Sequence, residues 1–465
     1  MKSTTTILAL AAAAHASPLV MRQDENQNTH IWDNVDAMCK DKAWLLDTPE
    51  GAAQVWKDTA ADTELDVQIL TQWEHEVNWA RNLENKVTGG VSGDFTLTDC
   101  GVTGTPCNPL GGMNCEDMCN KYGTDKDGNE NITGKTAYWI FKAVRGLQVK
   151  FTMLQNKLRD ATIMTGFSID SMVSDFGGDQ KGTEDVLKWM SAALGLGQTI
   201  AGLAPGAGTA FETASGILGG VFDIVAEEVK PEEIDTADIS AALVSIFKKT
   251  GDRIDDILRL AVGNTKNIED FDRLPDPTGG DPWYKSRVTK FFSTGWFLLA
   301  NDGEVVQSAI GSITQRVMPK IASNVMKSAN IRLVADKRAK DREACGYATG
   351  RQWMPLRDGE EYCFYLMRFY PQSGRGGNWA EATEDVYENM AKYNLGNREP
   401  FYRGILDCAL SENKDLRLDN LGFNRIPVCF FDLEAHFIDG NDDPKCNNPA
   451  VNAVCDPLKT EPIQV

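Results

Sequence analysis

The sequence predicts a mainly α protein. It should be a long-helix bundle around a central Gly/Ala-rich helical hairpin, with disulfide-rich flanking regions and a small α+β part at the C-terminal end. Three observations predict it. Apolar residues recur at helical spacing along several long segments. From Trp189 to Phe211 the chain runs 23 residues without a charge, WMSAALGLGQTIAGLAPGAGTAF, and after Glu212 comes a second apolar stretch, TASGILGGVF. The 11 cysteines fall into two groups, with none between Cys119 and Cys345.

In chain order, residues 1–16 read as a secretory signal: Lys2 is the basic start, Ile7 to Ala14 the apolar run, and Ala14-His15-Ala16 an A-x-A cleavage site. That apolar run is too short to serve as a membrane anchor. Residues 17–120 combine a helix with a Cys-rich loop. Leu65, Ile69, Trp73, Val77, Ala80, Leu83 and Val87 predict one amphipathic helix ending at Gly89-Gly90. Residues 121–340 form a Cys-free helical bundle. Within it, Ile140, Val144, Leu147, Phe151, Leu154 and Leu158 step by four and three, which predicts one long helix over 134–176. The hydrophobic hairpin occupies 186–229. A further helix carries Ile239, Leu243, Ile246, Phe247, Ile254, Ile257, Leu258 and Ala261 on one face and Asp252, Arg253, Asp255, Asp256 and Arg259 on the other. An aromatic segment runs from Trp283 to Leu299, and a helix is expected from Glu304 to Ala339, kinked at Pro319. Residues 341–465 are the Cys-rich C-terminal region, where CFYLMRFY (Cys363 to Tyr370) reads as a strand, and 379–393 and 399–410 as short helices.

The hairpin is the least ordinary element. Pro205-Gly206 supplies its turn, with Trp189 at the start of the first arm and Phe222 at the end of the second. Ala193, Gly197 and Ala201 are spaced four apart, as are Gly216 and Gly220, and this spacing lets helix backbones approach closely, as they do in lipid. Each Gly costs an isolated helix in water roughly 1 kcal/mol relative to Ala. The arms therefore need either a protein wrapping or a membrane around them.

Composition limits the function classes. A net charge of −20 argues against nucleic acid, whose phosphates would be repelled, and against electrostatic docking on anionic lipid. Hydrophobic content of 42% supports a real core. In an exported chain, Cys39, Cys100, Cys107, Cys115 and Cys119 would staple one flank and Cys345, Cys363, Cys408, Cys429, Cys446 and Cys455 the other. Cys446–Cys455 is the most local candidate pair, and the odd count leaves one thiol over.

Asn131-Ile132-Thr133 is a glycosylation sequon. The loop before it opens like a calcium loop, with Asp125, Asp127 and Asn129 at the first, third and fifth positions. Glu130 stands where the turn needs Gly and Thr136 where the bidentate acid belongs, so an exposed glycan-bearing turn is the leading reading and calcium the lesser one. His75-Glu76 begins a zinc-protease motif that Trp79 breaks. No G-x-S-x-G stands in the chain, so neither a catalytic set nor a cofactor is expected.

The signal segment, the Cys-free helical middle with its Gly/Ala hairpin, and the stretch LPDPTGGDPWYKSRVTKFFSTGWFLLAN together resemble a group of uncharacterised secreted proteins of filamentous fungi. The resemblance covers about Gly195 to Asn301 and implies an extracellular fungal setting, with no activity and no site residue. The residues themselves point to a secreted, non-enzymatic, membrane-active protein of the helical pore-forming kind, with hairpin 186–229 as the inserting element. The expected partner is a neutral or sterol-containing membrane or a cell-surface receptor, with oligomers forming on the membrane. The alternative is a secreted interaction or effector protein whose hairpin stays buried. An extracellular hydrolase of unknown specificity comes third.

Overall fold

The structure, a computed structural model, describes residues 39–71, 77–89, 100–179, 190, 238–276, 285–293, 295–346, 350–355, 359–371, 377–411 and 427–438. Over these residues the protein is mostly helical with one small five-stranded sheet.

The N-terminal flank holds α1 (Pro49–Asp58), α2 (Ala61–Thr71), α3 (Trp79–Thr88) and α4 (Cys115–Tyr122). The single helix expected across Leu65 to Val87 is thus two. Asn78 sits in the left-handed region at φ 53° and restarts the chain as α3, which ends where expected on left-handed Gly89. Leu65, Ile69, Val77, Ala80, Leu83 and Val87 are all buried, so the apolar period runs on through a break that it does not reveal.

The bundle is organised on α5 (Ile132–Arg159). Its residues Ile140, Val144, Leu147, Phe151, Leu154 and Leu158 are all buried. Asn131 caps it, its side chain accepting from the Gly134 N–H at 3.1 Å. The helix expected to continue to 176 stops at Asp160, which is extended. A 3-10 turn, Ala161–Phe167, and the separate α6 (Ile169–Phe176) follow, begun by left-handed Ser168 and closed by left-handed Gly177. Against α5 packs α7 (Ile239–Ala261), whose eight forecast inward residues are all buried. Asp238 caps α7 by accepting from the Ala241 N–H at 2.7 Å.

The aromatic segment is core. α8 (Arg287–Phe292) and a 3-10 turn, Trp296–Leu298, bury Phe291, Phe292, Trp296 and Phe297. Phe292 meets Trp56, Trp79, Phe291 and Phe297 at ring-centroid distances of 6.4, 6.0, 5.4 and 5.2 Å. Beyond it, α9 (Asp302–Ser328) passes through Pro319 and ends eleven residues before the expected Ala339, left-handed Asn330 turning the chain into β1 (Ile331–Asp336). The run Ile331-Arg332-Leu333-Val334, with β-branched residues at its two ends, finds a partner strand, and tertiary pairing overrides the continued helix.

That partner is β3 (Glu361–Pro371), which contains the forecast strand. After α10 (Arg342–Cys345), β2 (Gln352–Pro355) pairs with the start of β3 and β4 (Gly377–Glu381) with its end, both antiparallel. β1 runs antiparallel to β3 with Leu333 opposite Leu366, and β5 (Ala435–Ile438) lies parallel to β1. The helix expected over 379–393 begins only at α11 (Glu384–Lys392), because its first residues belong to β4, whereas α12 (Arg398–Ala409) matches the expected 399–410. Helices and sheet share one apolar core running from Leu46 to Ala435.

Among the described residues four disulfides hold the flanks: Cys39–Cys119, Cys100–Cys107, Cys345–Cys363 and Cys408–Cys429. Each joins cysteines of the same sequence group. Cys115 is buried and belongs to none of the four, and Cys446 and Cys455 lie outside the described residues.

Candidate functional site

Trp189, Ala193, Gly197, Ala201, Pro205, Gly206, Gly216, Gly220 and Phe222 lie outside the described residues, as does the signal segment. Met190, at the base of the first arm, is described. It is helical, fully buried, and part of the common core. Among the described residues no helix is long and apolar enough to cross a membrane.

The acidic loop is a closed turn. Asp125 Oδ1 accepts from the N–H groups of Asp127 and Asn129 at 2.9 and 2.8 Å, and a bridge joins Thr124 to Glu130. These bonds hold the Asp125 carboxyl below its usual value. Asn131, the sequon residue, is half-buried. Its Nδ2 donates to the Tyr122 carbonyl at 3.0 Å while its Oδ1 caps α5, so both ends of the amide serve the fold. Among the described residues no group of three His, Cys, Asp or Glu could hold a metal ion. Cys119 is bridged to Cys39, so the Cys115/Cys119 spacing is not a ligand pair. Of the histidines, His436 is described. It is buried, edge-on to Trp379, with Nε2 3.5 Å from Glu434.

The structure forms a cleft that sequence reasoning missed. It has a volume of about 650 Å³ and lies between one face of α5, the 108–114 loop and the 297–302 segment. Tyr138, Lys142, Arg145 and Val149 step by four, three and four along α5, forming a second stripe beside the core stripe. Lys142 lies over the Tyr138 ring, its Nζ 5.7 Å from the centroid. Burial lowers the Lys142 pKa, against an opposing pull from Asp41. Burial pushes the Tyr138 hydroxyl up to about 12, and buried Cys115 likewise to about 12, which leaves that thiol a poor nucleophile. Arg145 is exposed and, among the described residues, makes no hydrogen bond or ion pair.

Lys150 builds the cleft's far wall from beneath. It is 1% exposed, and its Nζ donates to the Leu299 carbonyl at 2.9 Å, the Phe297 carbonyl at 3.4 Å and the Asp302 carboxylate. Gly146 permits the close approach, since a Cβ there would lie 1.9 Å from the Phe297 carbonyl oxygen. The available signal was the stripe itself, two cations in helical register in an acidic chain. The apolar stripe next to it carried the stronger periodicity.

No family model matches this chain, and comparison with the curated proteins and with the solved structures finds no match to either.

Proposed function

We propose that this is a secreted, non-enzymatic, membrane-active protein of the helical pore-forming kind, with the hairpin over 186–229 as its inserting element. The observation that carries the reading is the uncharged 23-residue run from Trp189 to Phe211, with its small-residue spacing and its Pro205-Gly206 turn. Two features of the fold support it. Met190 is buried in the common core, as a sheltered resting state requires. All four disulfides lie outside residues 120–344, so none ties α5, α7 or α9 in place. The bridges suit an extracellular setting. The burial of Met190 also favours a second reading, a secreted interaction or effector protein whose hairpin never leaves the core.

The described ion pairs set the pH at which shelter would loosen. Asp432 links buried Lys320 of α9, at 2.7 Å, and Lys327 to the C-terminal segment. Burial raises its pKa, but the two lysines outweigh that and hold it below the usual value. Asp336, also buried, is held down in the same way by Arg338 and the Tyr365 hydroxyl. A carboxylate with a depressed folded pKa contributes stability above its unfolded value of about 3.9 and loses it as pH falls through the lower folded value. Glu84 is the opposite case. Burial raises its pKa, so acid protonates it early and relieves a buried charge. Mild acid should therefore leave the described bundle closed, and opening is expected only below about pH 4.

The experiment is dye release from neutral and sterol-containing liposomes, scanned from about pH 7 to about pH 3. Leakage that rises steeply at the acid end is expected. An absence of leakage at every pH and lipid composition would remove the membrane-active reading and leave the second.

A further inference from the structure

We infer that the cleft along α5 is a binding site for an amphipathic anion, a single apolar chain ending in a carboxylate, held by Lys142 and Arg145. This inference stands apart from the hairpin and does not depend on it.

The cleft's volume of about 650 Å³ falls within the range of small-molecule sites. Its lining is divided in kind. Leu110, Met113, Val149 and Leu298 give an apolar wall, while Lys142, Arg145 and the Tyr138 hydroxyl come from a single helix face. The charges nearby can be tallied. Asp302 also lines the cleft, but Lys150 takes up its carboxylate. Asp41 pulls on Lys142 from nearby, and one of its oxygens already accepts from the Ala43 N–H at 2.9 Å. Two cations thus line the cleft beside one carboxylate that Lys150 already engages, in a protein whose net charge is −20. Among the described residues Arg145 has no hydrogen-bond or ion-pair partner. Lys142 is half-buried with an aromatic ring as its neighbour, so it carries a desolvation cost that a bound anion would offset. The carboxylate is placed between these two side chains, three residues apart on one face, with the Tyr138 hydroxyl as a further donor.

An apolar chain, rather than a small hydrophilic acid, is required by the rest of the lining. The short turn Ala43–Leu45 and the following residue supply Ala43 and Leu46 to the lining, and Trp44 between them is 74% exposed. An exposed indole there suits a ligand whose tail reaches beyond the cleft.

The test is calorimetric titration of the full mature chain with dodecanoate below its micelle-forming concentration. Dodecanol serves as the tail without the charge, and acetate as the charge without the tail. One dodecanoate per chain is expected, with dodecanol at least about tenfold weaker and acetate silent. Arg145→Gln should weaken dodecanoate about tenfold and leave dodecanol unchanged. Adding Lys142→Gln should remove the preference for the charged ligand altogether. Arg145 is exposed and has no hydrogen-bond partner among the described residues, so if the double variant fails to fold, the single variant decides. Equal binding of dodecanoate and dodecanol, or an unchanged Arg145→Gln variant, would overturn the inference. So would binding confined to phosphatidylglycerol vesicles with no saturable dodecanoate site, which would make the cations a membrane contact instead.

Discussion

Lys150→Met is expected to destabilise the folded chain by about 3 kcal/mol or more. The substitution preserves bulk but removes a buried charged group that reaches three oxygens at once: the carbonyls of Phe297 and Leu299 and the carboxylate of Asp302. Phe297 and Leu299 are buried, so their carbonyls lose a donor that water does not readily replace. Asp302 is partly exposed and loses less. Asp302→Asn should therefore cost clearly less than Lys150→Met, because the two carbonyls keep their lysine. Urea unfolding of both variants checks the order. A Lys150→Met cost below about 1 kcal/mol would mean that the 297–299 segment is held by something other than this lysine.

Phe292→Ala is expected to cost about 4 kcal/mol, as for other large core aromatic side chains. Its ring lies among Trp56, Trp79, Phe291 and Phe297, which come from α1, α3, α8 and the following turn, so a cavity there loosens four elements at once. The same experiment bears on membrane contact. If the aromatic segment lay on a lipid surface, Phe292→Ala would leave urea unfolding nearly unchanged and reduce vesicle binding. The expected result is a large loss of stability instead.

Much of the helical architecture was legible because burial imposes a period on the sequence. Ile140 to Leu158 and Ile239 to Ala261 each mark one helix face, and the structure buries every residue of both sets. Breaks were not legible in the same way. Asn78 turns the chain through a left-handed conformation while the apolar period carries on across it, so two helices read as one, whereas the long helix stops at Asp160, just past the last periodic residue Leu158. The end of α9 failed for a different reason. Ile331 to Asp336 has no helical signal strong enough to stop at, and what makes it a strand is β3, about 30 residues away in sequence. The Cys363–Tyr370 strand was readable from its aromatic density alone. The cleft was hidden because its residues come from three separate segments, and only the Tyr138–Val149 stripe leaves a mark within one of them.

The central claim is that the hairpin over 186–229 is sheltered in the resting protein and leaves its shelter at a membrane. Hydrogen exchange read by mass spectrometry tests it most directly, on peptides covering 190–222 and on α5, α7 and α9, with and without sterol-containing vesicles at neutral pH and at about pH 3.5. The expected result is a protected hairpin in solution at neutral pH. On vesicles in acid, the hairpin should stay protected by lipid while at least one of α5, α7 and α9 loses its protection. Exchange that is the same with and without vesicles at both pH values, in hairpin and helices alike, would contradict the claim.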